Sequence, residues 1–371
     1  VSFMEKVGSR CMRIKGKIND ALSGKGVFVI AEIGKNFIQS KEEKTVDEYL
    51  KNAKTLIRLA KEVGADAVKF QTHNVEDEQM DVHIVSQHFS GSDRYSWVRR
   101  NTEATLLRFW QELKRYSDEL GIIFFSTPMS RGAAIILNEV GVPLWKVGSG
   151  DILDFVMLDY LCSTGKPIMI SSGMSTLEEI DLMMDFIKQR NAEVILMHTV
   201  SQYPCPIEDL RLNTMKFFMK RYNVPVGFSD HSLGFESAVA AAYLGAVVVE
   251  KHFSISREIF GADHKVSMLP EEFKTMVKHI RSKTTFDVKN LGEETKILQK
   301  DELKFRPVFR KTLVYGQDVK SGAILGPEMV YAMRPQIYID GLHSERYEVV
   351  IGKKVTKDVR KYEPIQAEDL V

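Results

Sequence analysis

The sequence predicts a closed (β/α)8 barrel followed by a small, mostly β domain. Three observations carry this expectation. Eight short apolar runs between positions 27 and 255 each end in polar or charged residues, and each is followed by an amphipathic segment of helix length. Beyond position 288 the pattern changes to scattered charge and then to short β-like runs. Near-continuous apolar runs alternating with helices mark parallel strands buried on both faces. Eight such units match the barrel whose active sites lie at the carboxyl ends of its strands.

The elements follow in order. The run 27–32 ends on Glu32, and the helix expected over 45–64 repeats Val46, Tyr49, Leu50, Ala53, Leu56, Ile57, Ala60 and Val63 every three or four residues before Gly64 stops it. The run 67–71 carries Lys69 inside it. The stretch 76–102 is long for a βα connection and rich in charge and aromatics, so it is expected over the strand ends as a lid or partner surface. A helix over 105–121 presents Leu106, Leu107, Trp110, Leu113 and Leu120. The runs 122–127, 144–149 and 167–172 end on Thr127, Ser149 and Ser171-Ser172, and Lys146 interrupts the second of them. Helices are expected after them over 131–140, 155–162 and 176–190. The runs 194–198, 226–231 and 247–252 end on His198, His231 and His252, with helices at 209–222, 235–244 and 270–283. The Met, Phe and Leu stripes of these helices are packing surfaces.

This divides the chain into a barrel over 1–287, a linker over 288–310 and a tail over 311–371. Turn signals at Gly316, Ser321-Gly322 and Gly352 punctuate the tail, and Arg334-Pro335 places an Arg in apolar surroundings where a strand should stop.

Composition bounds the function. The 371 residues exceed one barrel, 44% are hydrophobic, and a net charge of +1 gives no electrostatic reason to expect nucleic acid or an anionic membrane as partner. Cys11, Cys162 and Cys205 are odd in number and widely spaced, which fits reduced thiols and no catalytic or zinc role. No apolar run approaches a membrane span, and residues 1–17 are too mixed in charge for a secretory signal. A cytoplasmic enzyme is expected.

Lys69 and Lys146 interrupt otherwise apolar strands, and a buried ammonium is costly without an anion beside it. One inward Lys could pair with a structural carboxylate. Two, with hydroxyls at Thr127, Ser149, Ser171, Ser201 and Ser229 from different strand ends, describe a cradle for a doubly charged phosphate ester. No glycine-rich nucleotide loop is present, Gly148-Ser149-Gly150 being too short. His231 and His252 end adjacent strands, where two imidazoles can share a divalent ion. His198 competes as a third ligand, Asp230 is a candidate to orient an imidazole, and with nitrogen and oxygen donors alone Mn2+ or Mg2+ is favoured without excluding Zn2+.

Ordered motifs extend this reading. Ala31-Glu32-Ile33-Gly34, Lys69-Phe70-Gln71-Thr72-His73, Val75-Glu76-Asp77-Glu78, Ser126-Thr127-Pro128, Lys146-Val147-Gly148-Ser149-Gly150-Asp151, Ser172-Gly173-Met174, Tyr203-Pro204, Gly227-Phe228-Ser229-Asp230-His231 and Glu250-Lys251-His252-Phe253 resemble the sialic acid synthases, the phosphoenolpyruvate-dependent synthases of nonulosonic acids. Asp318-Val319-Lys320-Ser321-Gly322, Arg334-Pro335 and Gly352-Lys353-Lys354-Val355 resemble their antifreeze-like SAF domain, of β-clip type. The resemblance implies phosphoenolpyruvate on Lys69, Thr127, Lys146, Ser149, Ser171, Ser201 and Ser229. It implies a Mn2+-like ion on His231 and His252, and the acceptor sugar on Glu32, Tyr203 and Asp263. Asp151 falls where the family has its acid/base residue, and Glu32 shares the catalytic end. A domain-swapped homodimer is implied, Arg334 of one chain reaching the sugar's acyl group in the other, and His198 is demoted to a supporting role.

The implied reaction joins phosphoenolpyruvate to the aldehyde of an N-acylated mannosamine-like sugar, giving a sialic acid or a related legionaminic-type acid and phosphate. One departure is plain. Where the family continues from Glu-Ile-Gly into an Asn-His-Asn-Gly turn, this chain reads Lys35-Asn36-Phe37-Ile38-Gln39-Ser40, beside the expected sugar pocket. Two other classes compete on the residues alone: a metal-dependent barrel aldolase or isomerase acting on a sugar phosphate, and a carbohydrate-binding scaffold, which would need no converging Lys and His pairs.

Overall fold

A computed structural model describes residues 25–84, 93–284 and 291–371, together with 16, 18–20 and 23. Cys11 lies outside the described residues, as do parts of the expected lid and linker. Eight parallel strands form the barrel: β1 (Phe28–Gly34), β2 (Ala67–Thr72), β3 (Ile123–Pro128), β4 (Trp145–Val147), β5 (Ile168–Ser171), β6 (Val194–Thr199), β7 (Val226–Asp230) and β8 (Val248–His252). Their order is β3-β2-β1-β8-β7-β6-β5-β4, and β3 lies against β4 where the barrel closes. The strands are apolar on both faces because side chains fill the interior while helices cover the outside. Register sets the site: Glu32 lies opposite both Lys69 and His252, and Ser229 opposite Glu250.

Around the strands run α1 (Val46–Glu62), α2 (Val75–Glu78), α3 (Arg94–Ala104), α4 (Leu107–Leu120), α5 (Arg131–Val140), α6 (Phe155–Ser163), α7 (Leu177–Gln189), α8 (Ile207–Leu210), α9 (Thr214–Tyr222), α10 (Glu236–Tyr243) and α11 (Pro270–Arg281). Thr45 and Thr176 start α1 and α7 with reciprocal capping boxes, satisfying amides the helices leave unpaired. The single helix expected over 209–222 is broken in two. Arg211 takes a left-handed φ of 47° after α8, so the chain turns before α9 begins.

The linker is more structured than its composition predicts. It contains α12 (Lys300–Leu303) and α13 (Arg306–Phe309), and its charges are anchored on the barrel. Arg306 lies 2.6 Å and Arg310 3.0 Å from Glu179. In the tail β9 (Thr312–Tyr315) pairs antiparallel with β10 (Val330–Met333). Isolated bridges such as Val319 with Val359 and Ile324 with Lys354 complete the domain, with the short α14 (Tyr347–Val350) beside them. The tail docks through backbone: the Arg334 amide donates to the Glu78 carbonyl at 2.9 Å, and the Met80 amide to the Arg334 carbonyl at 2.9 Å. No described helix is long and apolar enough to cross a membrane.

Candidate active site

One cavity of about 240 Å3 opens at the carboxyl ends of the strands. Glu32, Lys69, Thr127, Lys146, Ser149, Asp151, Ser171, Ser201, Tyr203, Ser229, His231, His252, Asp263 and Arg334 all line it.

Its floor is a buried charge network. The Lys69 ammonium lies 2.6 Å from Glu32 and donates to the Thr127 hydroxyl at 3.0 Å. Lys146 donates to the Ser171 hydroxyl at 2.7 Å. Between them sits Glu250, 3.6 Å from Lys69 and 3.9 Å from Lys146, accepting from the Ser229 hydroxyl at 3.1 Å. Burial opposes ionisation of Glu250, but the two ammoniums outweigh it and hold its carboxyl below the usual range. Burial acts on Glu32 in the same sense and prevails, raising its carboxyl despite Lys69. Burial also brings Lys146 down to about 8.

Beside this floor the wall is shaped for a ligand. The Ser201 hydroxyl and one Glu250 oxygen are buried without a hydrogen-bond partner among the described residues. Gly173 faces the Ser149 and Ser201 hydroxyls so closely that a Cβ would collide with both. Backbone can approach a ligand there because glycine leaves the space.

The imidazoles of His231 and His252 stand with ring centroids 5.5 Å apart, and Tyr203 lies over His231 at 4.1 Å. His231 places Nδ1 2.8 Å from the Val200 carbonyl, which fixes Nδ1 as the protonated nitrogen and leaves Nε2 its lone pair. The buried His252 Nδ1 has no hydrogen-bond partner among the described residues. Burial, then the neighbouring His252, lower His231 to about 3, so it is neutral, the form that ligates. No group of three or more His, Cys, Asp or Glu able to hold a metal occurs among the described residues. Two imidazoles suit an ion whose other positions go to water and substrate oxygen. They fall short of the three protein ligands of a usual catalytic zinc site.

The tail contributes Arg334 to the lining. Arg334 is fully buried and ion-pairs with Asp151, which also lies 3.0 Å from Lys311. Where the resemblance placed a partner's Arg334, the single chain places its own. Asp151, held by two cations, anchors the tail in the cavity wall.

One expectation is corrected, and the competing third imidazole is set aside as its demotion implied. Asp230 does not orient an imidazole: its carboxylate is 2.7 Å from Lys251 and accepts from the Ser232 amide and hydroxyl. His198 is outside the cavity, its Nε2 on the Leu210 carbonyl at 2.5 Å and its ring stacked on Phe228. Sequence reasoning overlooked Glu250, whose signal was its place two residues before His252 on one strand, and so on the same face. It also overlooked Glu302, a fully buried linker carboxylate accepting from the Met174 and Ser201 amides, each at 2.8 Å.

The NeuB family profile matches residues 56–291 and the SAF domain residues 310–371. The chain belongs to the NeuB family. This NeuB-family chain is 32% identical over 348 residues to the human N-acetylneuraminate-9-phosphate synthase, covering 92% of each chain. It is 30% identical over 354 residues to the N,N'-diacetyllegionaminic acid synthase of Campylobacter jejuni, covering 92% of this chain and 99% of that one. Its fold matches the spore coat polysaccharide biosynthesis protein SpsE of Bacillus subtilis with a TM-score of 0.72 at 26% identity, over 93% of this chain and 95% of that one.

Proposed function

We infer that the chain condenses phosphoenolpyruvate with the open-chain aldehyde of an N-acyl mannosamine-type sugar, forming a nine-carbon 2-keto-3-deoxy acid and inorganic phosphate. The observation that carries this is that the buried Lys69–Lys146 pair and the His231–His252 pair line one cavity. A phosphate dianion matches the first pair, and a carbonyl held at a metal matches the second. The relatives named as sialic and legionaminic acid synthases support the same product class.

In this reading the donor's phosphate lies on Lys69, Lys146, Thr127 and the hydroxyls of Ser149, Ser171, Ser201 and Ser229, which holds its C3 toward the aldehyde. A divalent ion on His231 and His252, Mn2+ being the expected one, would polarise that carbonyl as a Lewis acid. C3 of phosphoenolpyruvate forms the new bond to the aldehyde carbon, and the aldehyde oxygen takes up a proton. Water adds at C2, and the C2–O bond then breaks to release phosphate. Glu32 supports the proton movements, because its raised carboxyl exchanges protons nearer neutrality than an exposed one. Tyr203, Asp263 and Arg334 hold the sugar.

The same docking is compatible with the homodimer that belongs to this reading. Residues 291–371 pack as one unit on a barrel, joined to α11 through a connection that includes 285–290, outside the described residues. A second copy's barrel would offer this unit the same contacts, so reciprocal exchange reproduces every one of them. The test of the activity is phosphate release that requires both phosphoenolpyruvate and sugar, with the product identified by mass spectrometry across a panel of acylated hexosamines. Phosphate release without the sugar, or sugar conversion without phosphoenolpyruvate, refutes the reading.

A further inference from the structure

Lys35 is a cation of the cavity wall that, among the described residues, touches no carboxylate. It follows Gly34, whose φ of 53° turns the chain out of β1 close to Glu32, Gln71 and Asp263. The residue is 92% buried, and its ammonium donates to the Gln71 carbonyl at 2.8 Å and lies 5.9 and 6.0 Å from the ring centroids of Phe37 and Trp97. Among the described residues no carboxylate comes within 4.0 Å of it, whereas the other cations lining the cavity each have one: Lys69 has Glu32, Lys146 has Glu250, Arg94 has Glu78 and Arg334 has Asp151. A buried ammonium supported by one carbonyl and two ring faces is costly in the empty protein, and burial lowers it to about 7. An anion arriving with the ligand would remove that cost.

We propose that Lys35 is the specificity residue of an anion subsite, selecting an acceptor sugar that carries an anionic substituent, a phosphate ester or a carboxylate, at the end remote from its aldehyde. This rests on the condensation proposed above. The aldehyde must lie at the His231–His252 end, beside Glu32. Lys35 stands three residues beyond Glu32, past the strand end, so it meets the far end of the chain of carbons. His73 and Arg94, on the same wall, already share Glu78. Lys35 is therefore the cation of this wall whose contacting anion a ligand would supply.

The experiment compares N-acetylmannosamine, its 6-phosphate and the corresponding 6-carboxylate as acceptors at saturating phosphoenolpyruvate, in the native chain and in Lys35→Met, Lys35→Gln and Lys35→Arg. The native chain should prefer an anionic acceptor by about 10- to 100-fold in kcat/KM, the range of a charge-assisted hydrogen bond. Lys35→Met and Lys35→Gln should collapse that ratio toward one, and Lys35→Arg should keep most of it. The phosphate and carboxylate arms identify the substituent. A native preference for the neutral sugar, or a ratio unmoved in Lys35→Met and Lys35→Gln, overturns the subsite while leaving the condensation standing. If no acceptor is turned over, the condensation fails, and calorimetric affinity of the same three sugars decides the subsite by the same ratio.

Discussion

Arg334 of the C-terminal domain and Asp151 of the barrel form a buried ion pair in the lining of the cavity. The domain is thereby part of the site wall. The pair is asymmetric: Asp151 also holds Lys311, which in turn lies 2.6 Å from Asp154, whereas the carboxylate beside Arg334 is Asp151 alone within 4.0 Å among the described residues.

Asp151→Asn should therefore destabilise more than Arg334→Met. The first leaves a buried guanidinium unpaired, worth about 3–5 kcal/mol, while the second leaves a carboxylate still paired with Lys311 and should cost about 1–2 kcal/mol. Urea midpoints of the two variants and of the double variant measure this. Equal losses, or fully additive ones, would show that the pair does not act as a unit.

Lys69→Met and Lys146→Met should each raise the phosphoenolpyruvate KM by about tenfold or more, with a smaller change for the sugar, because each removes a charge-assisted contact to a dianion. Glu250→Gln tests the same network from the other side. Removing the internal anion frees the ammoniums and should tighten inorganic phosphate as a competitive inhibitor. Unaltered phosphoenolpyruvate kinetics at saturating sugar in both Lys variants would displace the cradle.

Glu302→Gln should loosen the cradle without touching the ligand. One carboxylate oxygen, Oε1, accepts the amides of Met174 and Ser201, and the other, Oε2, accepts the Gln299 amide at 3.0 Å; an amide side chain that keeps the first oxygen turns its NH2 on the Gln299 N–H and loosens the hold of the linker on the cradle. The expected result is a higher phosphoenolpyruvate KM with metal content unchanged. His252→Ala, by contrast, should lower both bound divalent metal and turnover, and chelation of the native protein should reproduce it. Full activity of chelated, metal-free protein would end the metal assignment.

Most of the barrel and the floor of the site were legible because they depend on local pattern. Apolar runs fix strands, and a charged residue inside such a run, as at Lys69 and Lys146, can only be justified by something beside it. What escaped was set by partners distant in sequence. Asp230 looked like an imidazole's neighbour and proved to be Lys251's, since strand register places Asp230 opposite Lys251. The linker read as unstructured because its charges show no period, yet Arg306, Arg310 and Glu302 each answer a barrel group more than a hundred residues away in sequence.

Lys35→Met should stabilise the ligand-free protein, and by a pH-dependent amount. Glu32 on β1, His73 after β2, Glu78 on α2, Arg94 and Trp97 on α3, and Asp263 surround the ammonium, and their carboxylates only partly offset its burial. Its folded-state value of about 7 lies below the ordinary 10.5, so between the two the unfolded chain holds the extra proton and native stability rises with pH. The cost is complete below about 7, and Met removes it there. The gain in Tm should be largest at pH 6 and shrink as pH rises toward 10. A constant gain across that range would mean that Lys35 is not the titrating group.

The last prediction concerns which barrel each tail serves. A chain carrying Arg334→Ala is mixed with one carrying Lys146→Met. If each tail closes its own barrel, both sites in a mixed dimer are defective. If tails are exchanged, one site collects both defects and the other is intact. Because residues 291–371 dock as a unit and a second barrel presents the same Glu78, Asp151 and Glu179 surfaces, exchange conserves the contacts and adds an interface. Some activity should therefore return on mixing. No recovery, despite subunit exchange demonstrated by mass spectrometry of labelled chains, would establish that Arg334 serves the barrel of its own chain.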